Sequence, residues 1–142
     1  MKAGTDYIGV GCGGLAINEK DEVLLLKRGK NSKNEVGMWS KFGGQVEFGQ
    51  TVEETLKKEA MEEIGCEIEI LELINYVNHI IPEEKQHWVS FNFLVKIIGE
   101  PKNMEPHKCD EMGWFHIDNL PKNTSPKLIL EPLEIYRKKY GI

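Results

Sequence analysis

One segment of the chain constrains the fold most, because it carries a helix start signal and a helix stop signal between two stretches of strand-like pattern. Thr51 and Glu54 fit a capping box, with Thr51 as the N-cap and Glu54 at the third helical position. Gly65 is placed to end the helix, as a glycine just past the last turn often does. The sequence therefore predicts a short helix between Thr51 and Gly65.

This helix carries two carboxylates on a side where packing favours apolar residues. At about 100° per residue, Glu59 and Glu63 share one broad side with Leu56. They are one turn apart, and Glu62 lies three residues beyond Glu59, so the side chains can converge. Gathered like charges raise one another's pKa and destabilise the helix unless a cation neutralises them. Oxygen ligands of this kind favour magnesium or manganese over zinc.

A solvated acidic helix, with Lys57 and Lys58 as partners for the carboxylates, explains the same pattern equally well. The residues ahead of the helix favour the metal interpretation. Gly43 and Gly44 place a tight backbone turn with exposed carbonyls one short loop before the glutamates. Backbone and carboxylate oxygen atoms are then available in the same region of the chain.

Residues 43–66 read GGQVEFGQTVEETLKKEAMEEIGC, which resembles the Nudix box, whose pattern is GX5EX7REUXEEXGU with U an aliphatic residue. The glycines that open and close this pattern match Gly44 and Gly65. Its helical glutamates match Glu59, Glu62 and Glu63. The resemblance implies that these three glutamates are catalytic. It also implies that they bind Mg²⁺, or Mn²⁺ in its place, together with the carbonyl oxygen of Gly43.

The resemblance extends beyond the box to most of the chain. It includes Leu26-Lys27-Arg28, the segment that begins at His87, and the stretch from Glu100 to Cys109 followed by Trp114. These segments are most similar to the MutT-like branch, which includes nucleoside triphosphate diphosphatases. The resemblance implies a single Nudix hydrolase domain over residues 1–142. Its fold class would be α/β, an α/β/α sandwich with a mixed β-sheet between helices.

The function implied is metal-dependent hydrolysis of a phosphoanhydride bond, with a nucleoside triphosphate giving a nucleoside monophosphate and pyrophosphate. Cleavage of ADP-ribose or a nucleotide sugar is the nearest alternative. Two departures from the box keep a non-catalytic nucleotide-binding domain open as well. Gln50 replaces a glutamate that can support the metal site. Lys58 replaces an arginine, which keeps the charge but loses the planar hydrogen-bonding fork.

Substrate contacts are predicted at two further positions. Arg28, at the end of a strand, resembles a phosphate-contacting position of the branch, although a solvated strand-end arginine fits as well. Phe42 is a candidate to stack on a base, as are Trp39 and Trp88, and core packing is the alternative for all three. The family commonly supplies an outlying carboxylate before the strand that contains Trp114. The candidates here are Glu105, Asp110 and Glu111.

A β-hairpin is predicted near the N-terminus. Tyr7 to Ile17 and Glu22 to Arg28 are apolar and β-branched, and they flank the turn formers at 18–21. Gly9 to Gly14 satisfies the GxGxxG pattern, but a dinucleotide fingerprint needs a helix after it, whereas the hairpin pattern continues here. We therefore attribute the match to chance, with the glycines allowing close approach of backbone or ligand.

Later strands and a final helix follow from local patterns. Strands are predicted over Glu67 to Tyr76, Trp88 to Ile98 and Met112 to Ile117. The second of these places four apolar residues on one side, at Phe91, Phe93, Val95 and Ile97. Ser125 is placed to cap a C-terminal helix, which Pro132 delays or kinks.

Composition narrows the class of protein further. The 142 residues are 40% hydrophobic and contain no apolar run near the ~20 residues of a membrane span, which predicts one domain outside the membrane. No secretory signal is seen, so the cytoplasm is predicted. Cys12, Cys66 and Cys109 are far apart and predict reduced thiols. The net charge of −5 argues against nucleic acid but allows a small nucleotide bound through metal ions; a homodimer stays open.

Overall fold

The protein, described here from a computed structural model, is seen over residues 1–32 and 35–142. Its strands in this part of the chain are β1 Gly9–Ala16, β2 Glu22–Arg28, β3 Trp39–Ser40, β4 Gly43–Gln45, β5 Glu67–Ile81, β6 Gln86–Ile98 and β7 Cys109–His116. Its helices are α1 Val52–Ile64 and α2 Glu131–Tyr140, with a 3₁₀ turn at Pro82–Glu84 and a π-helical turn at Pro126–Leu130.

The strands form two sheets, and residues of both sheets contribute to each of two hydrophobic cores. The first sheet has the order β4-β1-β6-β5, and the second has the order β3-β2-β7. Strands β1 and β6 run parallel, whereas the other pairs are antiparallel. The predicted mixed sheet is therefore confirmed.

Strand β2 shows how the layers are built, because its side chains alternate between the two cores. Leu24 and Leu26 enter a core that also holds buried residues of α1, at Leu56, Ala60 and Ile64. Val23 and Leu25 enter a second core, which holds Ile129 and Leu133 from the C-terminal segment. Helical segments thus cover both sides of the strands, and the predicted α/β/α sandwich is confirmed.

The predicted N-terminal hairpin is only partly right. The chain turns at 18–21, where the Asn18 N–H donates to the Glu22 carbonyl at 2.9 Å, and a single antiparallel bridge joins Ile17 to Val23. Beyond that bridge the two strands enter different sheets. The reason is that both edges of β1 are taken, by β4 and by β6, so β2 has no free edge of β1 to pair with.

Local sequence signals correctly predicted the helices and the apolar side of strand β6. Helix α1 has the capping box at Thr51 and ends at Gly65, whose φ of 66° is left-handed. In β6, Phe93 and Val95 lie in the first core, and Phe91 and Ile97 pack against it. Ser125 caps the π-helical turn, and α2 begins only at Glu131, next to Pro132.

The structure also bears on the predictions for the N-terminal glycines, the cysteines and membrane-spanning helices. The GxGxxG run lies within β1, with no helix following it, so it is not a dinucleotide fingerprint. The three cysteines are free and buried. No helix in the described ranges is long and apolar enough to cross a membrane.

Candidate active site

Helix α1 and the glycine turn place two carboxylates against the backbone of β4. The Gly43 N–H donates to the Glu63 Oε2 atom at 3.2 Å. The carboxyl group of Glu59 lies directly over Gly44, where an added Cβ would come within 2.5 Å of the Glu59 Cδ atom. Gly44 is thus a position at which any larger residue would displace a glutamate of the site.

Burial sets the charge of this pair. It raises the pKa of Glu63 to about 9, and the hydrogen bond and charge of Glu59 act in the same direction, while the Gly43 N–H opposes them. Burial is also the largest cause that raises the pKa of Glu59, although its hydrogen bond to Glu63 favours the ionised form. Without a cation the two carboxylates hold a proton at neutral pH. This contradicts the alternative of a solvated acidic helix.

Glu62, the third glutamate of the motif, lies apart from this pair. It is exposed and borders the same cavity, and its charge raises the pKa of Glu59. Within residues 1–32 and 35–142, no three side chains of His, Cys, Asp or Glu converge to hold a metal ion. Mg²⁺ is commonly held by one or two carboxylates, with waters and substrate phosphates completing its shell. Glu59 and Glu63 fit that pattern, because a cation can replace their shared proton.

A fourth carboxylate, Glu105, stands near the pair. It borders the cavity, and its charge raises the pKa of both Glu59 and Glu63. Asp110 and Glu111 are exposed, and Glu111 forms an ion pair with Lys27 at 3.7 Å. Among the three candidates for the outlying carboxylate, the structure therefore favours Glu105.

These carboxylates border a cavity of about 540 Å³ that also reaches basic and aromatic side chains. Arg28, the predicted phosphate contact, borders the cavity at the end of β2. Trp88 borders it as well and packs against Gly4 and Gly9, whereas Trp39 lies in the second core. The cavity thus joins an acidic end to a wall that offers one partly exposed aromatic ring.

Phe42, which was predicted to contact the substrate, borders the cavity, but its ring is not exposed for stacking on a base. The ring is fully buried in the first core and packs against Gly14, which has no side chain to exclude it. A stacking position is therefore open to Trp88 and not to Phe42.

Two residues of the cavity wall were not singled out from sequence. Lys41 is buried, and its Nζ atom donates to the Leu128 carbonyl oxygen. Burial lowers the pKa of Lys41 to about 7, and the charge of Glu35 opposes that shift. Asn92 is fully buried in the middle of β6 and donates to the Asn75 Oδ1 atom at 2.9 Å. The available signal was a polar residue next to phenylalanine: Lys41 precedes Phe42, and Asn92 lies between Phe91 and Phe93.

Gln50 lies outside the cavity wall and ties the loop to the helix. Its Oε1 atom accepts a hydrogen bond of 2.9 Å from the buried Thr55 hydroxyl. We expect Gln50→Glu to leave kcat/KM unchanged or to raise it up to about tenfold, since a carboxylate accepts the same bond and suits a helix N-terminus. Gln50→Leu is the matched variant: it removes the acceptor and should lower the Tm. A large loss of turnover in Gln50→Glu would mean that the amide itself has a role.

The fold is an α/β/α sandwich, and its paired carboxylates offer oxygen ligands for a divalent cation at one end of a large cavity. A family model described as the NUDIX domain matches residues 8–134 of this chain. The protein belongs to the Nudix family. Among solved structures, a MutT NUDIX hydrolase from Burkholderia pseudomallei has a TM-score of 0.83 and 31% identity. The match covers 90% of this chain and 98% of that one.

Curated relatives differ in the substrates that their names state. An ADP-ribose pyrophosphatase of Methanocaldococcus jannaschii is 35% identical over 75% of this chain and 62% of its own length. An oxidized purine nucleoside triphosphate hydrolase of Danio rerio is 30% identical over 73% of this chain and 67% of its length. An NAD-capped RNA hydrolase of Pectobacterium carotovorum is 28% identical over 84% of this chain, but the chain spans only 43% of that protein.

Proposed function

We propose that the protein is a magnesium-dependent pyrophosphohydrolase that cleaves a nucleoside triphosphate to a nucleoside monophosphate and pyrophosphate. The observation that carries the proposal is the pair Glu59 and Glu63, half-buried against the glycine turn and holding a proton in place of a cation. Burying two carboxylates next to each other lowers the stability of the fold. Such a cost is typical of a site that binds a ligand. The 30% identity to an oxidized purine nucleoside triphosphate hydrolase of Danio rerio supports the triphosphate substrate.

In this proposal Glu59 and Glu63 hold Mg²⁺, or Mn²⁺ in its place, with the Gly43 carbonyl as a further ligand. Glu62 does not converge with this pair, but it borders the cavity and adds negative charge to the site. A divalent ion bound there neutralises the charge of the diphosphate and of the leaving phosphate. The Gly43 N–H keeps the Glu63 carboxylate oriented toward the turn. Close packing of Glu59 on Gly44 fixes the other carboxylate in the same way.

The remaining steps use side chains on the cavity wall. Glu105 accepts the proton of the attacking water, because it is the outlying carboxylate that borders the cavity and acts electrostatically on both glutamates of the pair. Lys27 and Arg28, the last two residues of β2, bind the phosphate oxygens. The nucleoside lies against β1 and β6, where Trp88 offers a ring for stacking.

Cleavage of ADP-ribose is the second candidate, because the relative with that name is 35% identical to this chain. The same acidic pair would act on the internal diphosphate, so the two reactions differ in their products. A nucleoside triphosphate releases pyrophosphate, whereas ADP-ribose or a nucleotide sugar yields two phosphomonoesters. A non-catalytic nucleotide-binding domain would release neither.

The test is a panel of nucleoside triphosphates, ADP-ribose and nucleotide sugars, each incubated with Mg²⁺ and scored by chromatography of the phosphate products. We expect pyrophosphate and a monophosphate from the triphosphates, with no turnover when EDTA replaces Mg²⁺. Turnover confined to ADP-ribose would replace the proposal with the second candidate. Nucleotide binding without turnover anywhere in the panel would favour the non-catalytic domain. The predicted cytoplasmic location and the small-nucleotide partner belong to the same proposal, which leaves a homodimer open.

A further inference from the structure

The wall of the cavity opposite α1 is built on a row of glycines. Gly9, Gly11 and Gly13 alternate along β1, so they face the same side of the sheet. Each pairs in parallel register with a residue of β6, namely Trp88, Ser90 and Asn92 in that order. Because the three glycines have no side chains, this face is flat, and side chains from elsewhere lie directly on it.

Two side chains flank the middle of this face. The ring of Trp88 lies over Gly9, and the methylenes of Lys41 lie over Gly13, where an added Cβ would come within 2.7 Å of the Lys41 Cε atom. Gly11, between them, borders the cavity and has only the Ser90 hydroxyl and a backbone oxygen near its open side. The surface over Gly11, between the Trp88 ring and the Lys41 amine, therefore has the shape to hold a flat, polar ring.

Polar groups at the Lys41 end are incompletely paired. The Lys41 Nζ atom has three N–H donors when protonated, and its hydrogen bond in the described structure is the one to the Leu128 carbonyl. Asn92 donates its amide to Asn75, and its own Oδ1 atom is buried with no hydrogen-bond partner among the described residues. Buried acceptors are normally satisfied, and one that is not points to a missing donor.

We propose that Lys41 and Asn92 are specificity-determining residues that select nucleotides whose base carries an oxo group beside a ring N–H. The inference rests on the proposed function, since it places the base of the substrate on the glycine face. The exocyclic oxygen of such a base accepts from Lys41, and the adjacent ring N–H donates to the Asn92 Oδ1 atom. Hypoxanthine, guanine and uracil have this edge.

Adenine and cytosine present the reverse polarity at the same two positions. Their exocyclic amino group would direct N–H donors at the protonated Lys41 amine, which has donors only, and their bare ring nitrogen would face the Asn92 oxygen. A donor then faces a donor at Lys41 and an acceptor faces an acceptor at Asn92, so the buried polar atoms of both residues stay unpaired. A site built to hydrogen-bond a substrate rejects an analogue that leaves its polar groups unpaired more strongly than an apolar pocket does.

The sharpest test compares ITP with ATP, because the two purines differ only at this edge. We expect the wild-type protein with Mg²⁺ to show a kcat/KM for ITP about tenfold or more above that for ATP. Lys41→Met keeps the length of the side chain and removes its donors, so the ratio should fall to within about threefold of unity. Lys96→Met, at an exposed position of β6 away from the cavity, is the matched control and should keep the wild-type ratio.

The outcomes separate this inference from the proposed function. Equal kcat/KM for ITP and ATP in the wild type, or an unchanged ratio in Lys41→Met, would overturn the inference and leave triphosphate hydrolysis standing. A change confined to the ratio of ribo- to 2′-deoxynucleotides would assign the pair to the sugar and also overturn it. If no triphosphate is hydrolysed, the proposed function fails. Calorimetric binding of IMP against AMP then decides: a preference for IMP that Lys41→Met removes supports the inference, and equal binding contradicts it.

Discussion

Replacement of Glu63 by glutamine is expected to abolish magnesium-dependent turnover while leaving the protein folded. Glutamine keeps an oxygen that can accept the Gly43 N–H, now at 3.2 Å from the carboxylate, so the turn and helix stay joined. It removes the negative charge that a hard cation needs from this position. We expect kcat/KM to fall by roughly 10³-fold or more, as a loss of several kcal/mol in transition-state stabilisation would require.

The same substitution should stabilise the metal-free protein. The pKa of Glu63 in the folded state is about 9, well above its ordinary value of 4.5, so the folded protein holds a proton that the unfolded chain releases between these pH values. The free energy of unfolding therefore falls as pH rises through that window. Glutamine resembles the protonated carboxyl group and does not titrate. At pH 8 its Tm should exceed the wild-type value by about 2–8 °C, which corresponds to about 1–2 kcal/mol, and the difference should close near pH 4.

Thermal unfolding and calorimetry, with and without Mg²⁺, check both parts. Mg²⁺ should raise the Tm of the wild type and not that of Glu63→Gln, because the ion binds only the folded protein with an intact site. Glu53→Gln, at an exposed position on the same helix, is the control and should match the wild type in turnover. Equal turnover in Glu63→Gln and the wild type would reject the metal assignment.

The second large effect is expected at Glu105. As the proposed proton acceptor it contacts the attacking water and does not hold the ion, so Glu105→Gln should lower kcat by roughly 10²- to 10⁴-fold. KM and the affinity for Mg²⁺ should change little. Steady-state kinetics and a magnesium titration followed by Tm separate this pattern from the loss of a metal ligand, in which affinity falls as well.

Two neighbouring acids serve as matched controls for Glu105. Asp110→Asn and Glu111→Gln remove carboxylates that the sequence ranked equally with Glu105, but both are exposed, and Glu111 is paired with Lys27. Their kcat should stay within about threefold of the wild type, as expected for surface charges. A loss in either variant as large as that in Glu105→Gln would move the proton acceptor to that residue.

Helix α1 and the glycine turn were predictable because their signals are local. The capping box uses hydrogen bonds between residues three apart, and Gly65 ends the helix through its own backbone conformation. One helical turn separates Glu59 from Glu63, so their convergence also follows from spacing alone. The alternation in β6 is local in the same sense, and its apolar side was placed correctly.

The errors occurred where distant segments compete for the same space. Phe42 was a candidate for base stacking, but Gly14 leaves a gap in β1 that its ring fills. The hairpin between β1 and β2 failed because β6, far along the chain, pairs with β1 along its whole length. Neither outcome can be read from the residues near Phe42 or β2, since each depends on which partner reaches the site in the folded chain.

The sequence alone therefore determined the paired glutamates, the turn that faces them and the family to which the protein belongs, because each is encoded within one short run of residues. The tertiary structure decided the protonation of the paired glutamates and which residues surround them. Burial makes Glu59 and Glu63 share a proton, and folding brings Glu105 to their side. Lys41 reaches the Leu128 carbonyl across 87 residues of chain to form the far wall of the cavity. Desolvation and contacts of this range arise only when the whole chain has packed.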